Sequence, residues 1–171
     1  NDVFLAAVGD GLGVYHRKMG HPVTKLRMNM PVSTRTESSG TANAVNIARF
    51  EIPISIRETR ALMDQMAEAV AKVRKEPALA FANELGEISR FIPTDIVSAA
   101  AQASDVTASN VPGVPVPVWI AGARVERMYP LVATIGAAVN VTMLTYNGTA
   151  SVGVSTDDAA VDDHDILLES L

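Results

Sequence analysis

Cysteine is absent from this chain of 171 residues, which excludes disulfide bonds, thiol catalysis and zinc sites built on cysteine. Charge is also scarce, since charged residues make up 19% of the sequence, against about 25% in average soluble domains. The 14 Lys and Arg residues are outnumbered by 19 Asp and Glu residues, so the net charge of −5 gives no electrostatic basis for binding nucleic acid. Hydrophobic residues account for 48% of the chain, which is enough for a domain with a real core and excludes disorder throughout.

Long uncharged runs are present, but their composition is not that of a membrane-spanning helix. Residues 128–156 contain no charged side chain, yet a proline, several glycines and many Asn and Thr residues interrupt the run. Val139 and Val141 alternate with more polar neighbours, as residues do in strands, and Tyr146-Asn147-Gly148-Thr149 predicts a hairpin turn. Residues 106–123 hold three prolines, which a spanning helix does not tolerate together. Both runs therefore predict strands buried on two faces and no transmembrane segment.

Hydrophobic periodicity predicts one domain that mixes helices and strands. Helices are expected at Asp2–Met19, Thr59–Arg74, Leu79–Phe91 and Asp95–Ala103, with a last helix from Thr156-Asp157-Asp158 to Leu171. Strands are expected at Leu26–Val32, Val45–Ile54, Val106–Val111, Val118–Val125, Ala138–Tyr146 and Ala150–Ser155. No repeat or linker divides these elements. Residues 1–171 are therefore predicted to form a single α+β domain, with a mixed, largely antiparallel sheet covered by helices.

Several motifs with chemical potential have simpler structural explanations. The stretch Gly9-Asp10-Gly11-Leu12-Gly13 lacks the preceding strand and the third glycine of a dinucleotide-binding fingerprint. His16, His21 and His164 belong to no zinc-protease or nucleophile-elbow motif, and the first two are expected to be exposed near a helix end. The acidic residues within 157–165 lack the glycine and terminal glutamate of a calcium-binding loop, so they are expected to cap a helix. No metal ion and no cofactor are predicted.

Three short polar stretches lie at the ends of predicted elements. Asn1-Asp2 puts an amide and a carboxylate at a helix start, and Pro31-Val32-Ser33-Thr34-Arg35 puts a hydroxyl and a guanidinium at a strand end. Ser109-Asn110-Val111-Pro112-Gly113 puts a hydroxyl and an amide at another strand end, within an otherwise apolar segment. Polar groups next to buried strands either cap the fold or face a functional site, and the residues alone leave both explanations open.

In this order and spacing, the three stretches resemble the C-terminal half of the bacterial wax ester synthase/acyl-CoA:diacylglycerol acyltransferase family. The likeness continues through Ala121-Gly122-Ala123, Pro130, the Tyr146-x-Gly148 hairpin and the acidic start of the last helix, so it spans nearly the whole chain. The Gly-Asn that usually follows the arginine motif is represented only by Ala42-Asn43, and the family's His-His-x-x-x-Asp-Gly signature has no match. The resemblance implies one half of a CoA-dependent acyltransferase fold, similar to chloramphenicol acetyltransferase and condensation domains, with the catalytic N-terminal half absent from this chain.

The resemblance also implies a reaction, namely acyl transfer from a thioester to an alcohol, with a histidine of the other half as the base. Ser109 and Asn110 are then expected to support the oxyanion or line a tunnel, where one fixed hydrogen-bond donor is worth roughly 3 kcal/mol. Asp2 and Arg35 are expected to form a buried structural ion pair. The residues expected to bind substrate are Asn1, Ser33, Val111, Pro112 and Gly113.

The implied partners are the N-terminal half of the same enzyme, acyl-CoA as co-substrate, and a lipid alcohol, either diacylglycerol or a fatty alcohol. The implied location is the cytoplasm, which is compatible with peripheral association with the inner membrane or lipid inclusions, and the resemblance is compatible with a homodimer. The chain begins at Asn1 with neither Met nor a signal peptide, which predicts a piece of a longer protein that is inactive alone. A second class stays open, a non-catalytic scaffold or lipid-binding half-domain.

Overall fold

Three helices and seven strands lie in the residues that the computed structural model describes, which are 1–33, 45–75, 104–134 and 136–171. The helices are α1 (Asp2–Lys18), α2 (Thr59–Arg74) and α3 (His164–Ser170). The strands are β1 (Lys25–Ser33), β2 (Val45–Pro53), β3 (Val106–Val111), β4 (Trp119–Ile120), β5 (Ala123–Arg124), β6 (Val139–Tyr146) and β7 (Thr149–Thr156). The predictions for α2 and β3 are confirmed residue for residue. The helices predicted at Leu79–Phe91 and Asp95–Ala103 lie outside the described residues.

Helix α2 begins at a capping residue and buries one apolar stripe. The Glu58 carboxylate accepts hydrogen bonds from the backbone N–H groups of Arg60 and Ala61, at 3.0 and 2.6 Å, and so satisfies two donors that have no partner within the helix. Leu62 and Met66, one helical turn apart, are fully buried against the sheet, as the spacing predicts. Burial of a side chain of this size contributes about 1.5–3 kcal/mol, so this stripe holds α2 in place.

Five strands form a mixed sheet in the order β2-β1-β3-β6-β7. The two central pairs, β1 with β3 and β3 with β6, are parallel. The two outer pairs, β1 with β2 and β6 with β7, are antiparallel. A mixed sheet with helices is therefore confirmed, and its antiparallel pairs occupy the edges while its parallel pairs occupy the centre.

The described helices pack on one face of this sheet. Met28, Val106 and Val141 from the central strands join Leu5 of α1 and Leu167 of α3 in one hydrophobic core. Helix α1 approaches the end of β2 closely, because a Cβ at Gly13 would collide with the backbone oxygen of Ile54. The glycine-rich stretch of α1 is therefore buried helix, in agreement with the structural explanation given to it.

The C-terminal helix begins later than predicted. Strand β7 continues to Thr156, and α3 begins only at His164. Between them the Asp157 side chain accepts a hydrogen bond from the Ala159 N–H, a local bond typical of aspartate in turns. The acidic residues still cap a helix, since the carboxylate of Asp163, the N-cap residue, accepts from the Ile166 N–H at 2.9 Å. The prediction that this helix begins at Thr156 was wrong, because the aspartates that favour a helix cap also favour turns.

The prediction for residues 106–123 also needs correction. Beyond β3, residues 112–118 form no strand and are mostly exposed, because prolines supply no N–H for strand pairing. The predicted strand Val118–Val125 is a hairpin of two short strands, β4 and β5, which turns at Ala121 and Gly122.

The other uncharged run forms β6 and β7, joined by the predicted turn at Asn147 and Gly148, whose φ angles are 47° and 80°. The first half of β6 is buried on both faces as predicted, but β7 is an edge strand with no buried residue, so the prediction of burial on two faces was wrong for it. In the described part of the chain, no helix is both long enough and apolar enough to cross a membrane.

Candidate functional site

A row of polar residues crosses the sheet on the face turned away from the described helices. The strand register pairs Arg49 with Asn29, Asn29 with Thr107, Thr107 with Asn140, and Asn140 with Ser155. Residues opposite each other in neighbouring strands project to the same face. These five residues, called the polar row below, therefore lie at one level of all five strands.

A cleft of about 120 Å³ opens on this face of the sheet. Four members of the polar row line it together with Ser109, which lies two residues beyond Thr107 on β3. Its apolar walls are Pro31, Ile47 and Val132. The lining thus combines one cation, Arg49, with neutral hydrogen-bonding groups and apolar surface, a combination that suits an oxygen-bearing group on an apolar chain.

Hydrogen bonds orient the two buried asparagines of the polar row. The Ser104 hydroxyl donates to Asn29 Oδ1 at 2.7 Å. The Thr142 hydroxyl donates to Asn140 Oδ1 at 2.8 Å, and Asn140 Nδ2 donates to the Ala133 carbonyl at 3.1 Å. A buried amide without partners costs about 1–3 kcal/mol, so these bonds allow polar groups to persist beside an apolar core. They also fix which amide atoms face the cleft.

Ser109 and Asn110 lie on opposite faces of the sheet. Ser109 lines the cleft. Asn110 follows it on the same strand and pairs with Met143, which packs against the hydrophobic core on the helix side. Because successive strand residues alternate between faces, the cleft receives the serine side chain and not that of its neighbour.

The rest of the Ser109–Gly113 stretch ends β3 and turns the chain. Val111 is the last residue of β3 and is exposed, and Pro112 follows it with no N–H to continue the pairing. The Gly113 N–H donates to the Thr145 hydroxyl at 3.1 Å. A Cβ at Gly113 would collide with the Thr145 carbonyl oxygen, so this position requires glycine for close approach. The described lining of the cleft includes none of these three residues.

The residues predicted at the start of α1 lie near the end of β1. Asn1 precedes α1, and its side-chain amide lies 3.9 Å from Met30 Sδ. Asp2 is in the first turn of α1, where the helix dipole favours a carboxylate. Ser33 is the last residue of β1. Arg35 lies outside the described residues, so its ion pair with Asp2 stays a prediction.

A different ion pair joins β1 to the residue before β3. Arg27 Nη2 lies 2.6 Å from Asp105 Oδ1, while Arg27 Nε and its backbone N–H donate to Asp105 Oδ2 at 3.2 and 2.7 Å. Burial by itself would raise the pKa of Asp105, but the hydrogen bonds from Arg27 outweigh burial and lower that pKa below its ordinary value of 3.8. Arg27 and Asp105 each precede a polar-row residue by two positions, so their pairing holds β1 and β3 in register beside the cleft.

Comparison with known families identifies the domain that carries this cleft. A family model described as the WS/DGAT C-terminal domain matches residues 41–171. The chain belongs to this family. The matched range includes Arg49, Thr107, Ser109 and Asn140, so most of the described cleft lies inside the WS/DGAT domain.

Curated relatives of this WS/DGAT domain include two Mycobacterium tuberculosis proteins, from strains CDC 1551 and H37Rv. Their names assign each provisionally as a diacylglycerol O-acyltransferase. Each is 29% identical over 175 aligned residues, which cover 100% of this chain and 36% of the relative. The chain therefore spans little more than a third of the curated relatives that it matches.

Solved structures similar to this WS/DGAT domain share its fold. The wax ester synthase/diacylglycerol acyltransferase from Marinobacter aquaeolei VT8 matches with a TM-score of 0.67 at 21% identity, over 99% of this chain and 40% of that one. The epimerization domain of tyrocidine synthetase B matches with a TM-score of 0.59 at 11% identity, over 99% and 39% of the two chains. The first condensation domain of the CDA synthetase matches with a TM-score of 0.52 at 18% identity, over 96% and 36%. The fold is therefore half of the acyltransferase and condensation architecture that the resemblance implied.

The polar row of this WS/DGAT domain was not predicted from the sequence. Asn29 gives a signal, because it alternates with Met28 and Met30 and so marks a polar face of β1. The pairing of Asn29 with Thr107 depends on the register of strands that are far apart in sequence, and so does the pairing of Thr107 with Asn140. Periodicity within one strand does not contain that information. In the described ranges no group of three or more histidine or acidic side chains gathers that could hold a metal ion.

Proposed function

We propose that this chain is the C-terminal half of a long-chain O-acyltransferase, which transfers an acyl group from acyl-CoA to diacylglycerol or a fatty alcohol. The observation that carries the proposal is the match of residues 41–171 to the WS/DGAT C-terminal domain. The acceptor classes come from the names of the mycobacterial relatives and of the Marinobacter protein. Because the chain spans 36% of those relatives, the rest of the enzyme is expected to supply the catalytic histidine.

The reaction exchanges a thioester for an ester. The histidine of the other half removes the proton of the alcohol as the alcohol oxygen attacks the thioester carbonyl carbon. The carbonyl electron pair moves to oxygen and forms a tetrahedral oxyanion. Collapse of this intermediate breaks the carbon–sulfur bond, and the CoA thiolate takes the proton from the imidazolium. Atoms and charge balance without a cofactor, so the protein has to supply orientation, a base and donors to the oxyanion.

We assign to Ser109 the role of donating a hydrogen bond from this half to the oxyanion. Its side chain lines the cleft, and β3 is held between β1 and β6 in the centre of the sheet. A hydroxyl on a central strand is positioned before substrate arrives, which is the condition for a donor to stabilise the transition state. Arg49 and the buried asparagines of the polar row supply further donors along the cleft, and Ile47 and Val132 offer apolar contact to an acyl chain.

The test is the full-length enzyme with Ser109→Ala, assayed by CoA release from a long-chain acyl-CoA in the presence of diacylglycerol or a fatty alcohol. A single oxyanion donor is worth about 3 kcal/mol, so kcat should fall about a hundredfold while KM changes little. The matched control is Ser151→Ala. Ser151 is also half-buried and pairs with Leu144 on the same face of the sheet, but the described lining of the cleft does not include it.

Two further variants sharpen this assay. Asn110→Ala should leave kcat near the starting value, because alternation places Asn110 on the opposite face from Ser109. The 171-residue chain by itself should release no CoA above a buffer control, since it contains no histidine motif of the family. Equal losses for Ser109→Ala and Ser151→Ala would contradict the assignment of Ser109. Full turnover by a full-length protein whose other half contains no histidine motif of the family would contradict the proposed mechanism.

A further inference from the structure

Strand β7 forms one open edge of the sheet and lacks the features that protect such edges. It pairs with β6 on one side, and among the described residues no strand lies on its other side. Its 8 residues contain no charged side chain and no proline, and their register with β6 has no bulge. Proteins usually protect a long edge strand with charges, prolines or bulges, because its unpaired N–H and C=O groups can pair with another strand. Strand β7 is therefore open to such pairing.

The opposite edge of the same sheet is protected. Strand β2 carries Arg49 and Glu51 and ends at Pro53. Glu51 Oε2 lies 3.0 Å from Lys25 Nζ, and both side chains are mostly exposed. Charged side chains along an edge strand disfavour the approach of a further strand. The two edges therefore differ, and the lack of protection is specific to β7.

The outer side of β7 presents the backbone groups of every second residue. A two-residue turn joins β6 to β7, so the flanking residues Tyr146 and Thr149 exchange their backbone hydrogen bonds. Because the direction of these groups alternates along a strand, Val152 and Val154 point their N–H and C=O groups away from β6. Within the described ranges, no backbone hydrogen bond from another segment reaches these groups.

The sequence of β7 reads the same in both directions about Gly153. Its central residues are Ser151-Val152-Gly153-Val154-Ser155. Two antiparallel copies related by a two-fold axis at Gly153 place Val152 opposite the partner's Val154, and Ser151 opposite the partner's Ser155. Val152 and Val154 are also the residues whose backbone groups point outward, so each such pair can exchange two hydrogen bonds. The edge is therefore complementary to itself in this register.

Exposed apolar side chains lie close to this axis on both faces of the sheet. Val152 is 52% exposed and pairs with Met143, which packs against the core on the helix side. On the other face the backbone of Pro130 crosses Gly153, since a Cβ at Gly153 would collide with the Pro130 carbonyl oxygen. The neighbours of Pro130 are Tyr129 and Leu131, which are 62% and 89% exposed. A group of exposed apolar side chains of this kind is typical of an interaction site.

We propose that β7 is a homodimer interface, in which the β7 strands of two copies pair antiparallel about Gly153 and join two five-stranded sheets into one. The two-fold symmetry of the β7 sequence favours a second copy as the occupant, because an isologous interface requires a surface that is complementary to itself. An unrelated strand would place no such requirement on both sides of Gly153. The contact goes beyond the proposed function, since no residue of β7 belongs to the described lining of the cleft.

Paired cysteines test the register, because this chain has no cysteine of its own. Ser151→Cys and Ser155→Cys are made separately in the full-length protein, with any cysteine outside this chain replaced by serine, and the two proteins are mixed and oxidised. Opposite residues in a non-hydrogen-bonded pair have Cα atoms about 4.5 Å apart, which is within the range of a disulfide. We expect the mixture to form a disulfide-linked dimer, identified by mass spectrometry of the joined peptides, and neither variant to do so alone.

The matched control for the register is Thr149→Cys mixed with Ser155→Cys. These two positions lie opposite each other only if the axis passes through Val152. About Gly153 they are diagonal neighbours, roughly 7–8 Å apart, which is too far for a disulfide. We therefore expect this mixture to stay uncrosslinked under the same oxidation.

Substitutions at Val152 test whether association depends on β7. Proline is tolerated where an edge N–H faces outward, so Val152→Pro should keep the pairing with β6 and remove the donor to the partner. The two-fold symmetry doubles this loss, so the dimer dissociation constant, measured by sedimentation, should rise about thirtyfold or more. Val152→Lys adds an edge charge without removing the N–H, and it should also weaken the dimer. The control is Ile47→Lys on β2, since Ile47 is 54% exposed and so matches Val152. Its dissociation constant should not change.

Three outcomes would overturn the proposal. The first is the mass of a single copy at every concentration, and slow hydrogen exchange at Val152 in that monomer would assign the edge to another segment of the same polypeptide. The second is a dimer that neither Val152→Pro nor Val152→Lys weakens. The third is equal cross-linking in the Thr149→Cys control. If Val152→Pro fails to fold, the cysteine mixtures and Val152→Lys still decide. None of these measurements requires turnover, so a dimer without acyltransferase activity separates a failure of the proposed function from a failure of this contact.

Discussion

Tyr146→Phe tests how one hydroxyl anchors the segment that contains the β4–β5 hairpin. The substitution keeps the buried ring in the core and removes the hydroxyl that bonds both the Val118 N–H and the Val125 carbonyl. Each bond is worth about 0.5–1.5 kcal/mol net, and both backbone groups are half-buried, so water replaces the lost partner only in part. The free energy of unfolding should therefore fall by about 2 kcal/mol. For a chain of this size, that corresponds to a fall in Tm of about 4–8 °C.

Urea unfolding followed by circular dichroism measures this loss, and hydrogen exchange locates it. The Val118 amide should exchange faster in Tyr146→Phe, because its acceptor is gone, while amides of the central strands should change less. The matched control is Tyr129→Phe. Tyr129 is exposed, and its hydroxyl accepts one long contact of 3.5 Å from Arg127, so its loss should cost less than about 0.5 kcal/mol. Equal effects of the two substitutions, or an unchanged Val118 amide, would refute the anchoring argument.

Three other substitutions test separate parts of the structure. Gly113→Ala should lower the free energy of unfolding by about 1–3 kcal/mol, measured by urea unfolding, because the added Cβ collides with the Thr145 carbonyl oxygen. Asp105→Asn should make the free energy of unfolding depend less on pH in acid. Arg27 lowers the pKa of Asp105 below 3.8, so the stabilisation by the Asp105 carboxylate is complete above that value and is lost as pH falls through the lowered pKa. His16 is half-buried, so the prediction that it is exposed was wrong. This burial lowers the pKa of His16 below 6.5, so stability should fall with pH below that value, and thermal scans should find a shallower fall in His16→Gln.

The elements of this fold were predictable where one local pattern defines them. Helix α2 combines an apolar stripe with a proline just beyond its end, and its bounds were predicted without error. The hairpin at Asn147 and Gly148 was predictable because this pair tolerates left-handed φ angles. The start of α3 was not predictable in this way, because aspartates that cap a helix also make turns, and the pairing that extends β7 to Thr156 is made with Val139 of another strand.

The candidate site was predictable only in part, since it depends on pairing between distant strands. Ser109 was singled out from its polar character at an apolar strand end, and it does line the cleft. The alternation of side chains along β3 already indicates that Asn110 faces the other way. Asn29 and Asn140 are separated by more than a hundred residues and share the cleft only because β3 pairs in parallel with both of their strands. A shift of one residue in either pairing would turn those amides to the helix side.

The Ser-Asn-Val-Pro-Gly stretch owes its composition to several separate physical requirements. Ser109 gives the cleft a hydroxyl on a central strand, and Pro112 stops the pairing one residue after β3 ends. Gly113 then lets the chain pass against the Thr145 backbone, and the carbonyl of the next residue, Val114, accepts a hydrogen bond from the Asn147 N–H where the segment that leads to the β4–β5 hairpin begins. One continuous segment therefore positions both Ser109 in the cleft and the start of the chain that leads to the β4–β5 hairpin. A displacement at Gly113 would strain the end of the strand that carries Ser109, so Gly113→Ala should lower both stability and turnover, whereas Ser109→Ala should lower turnover alone.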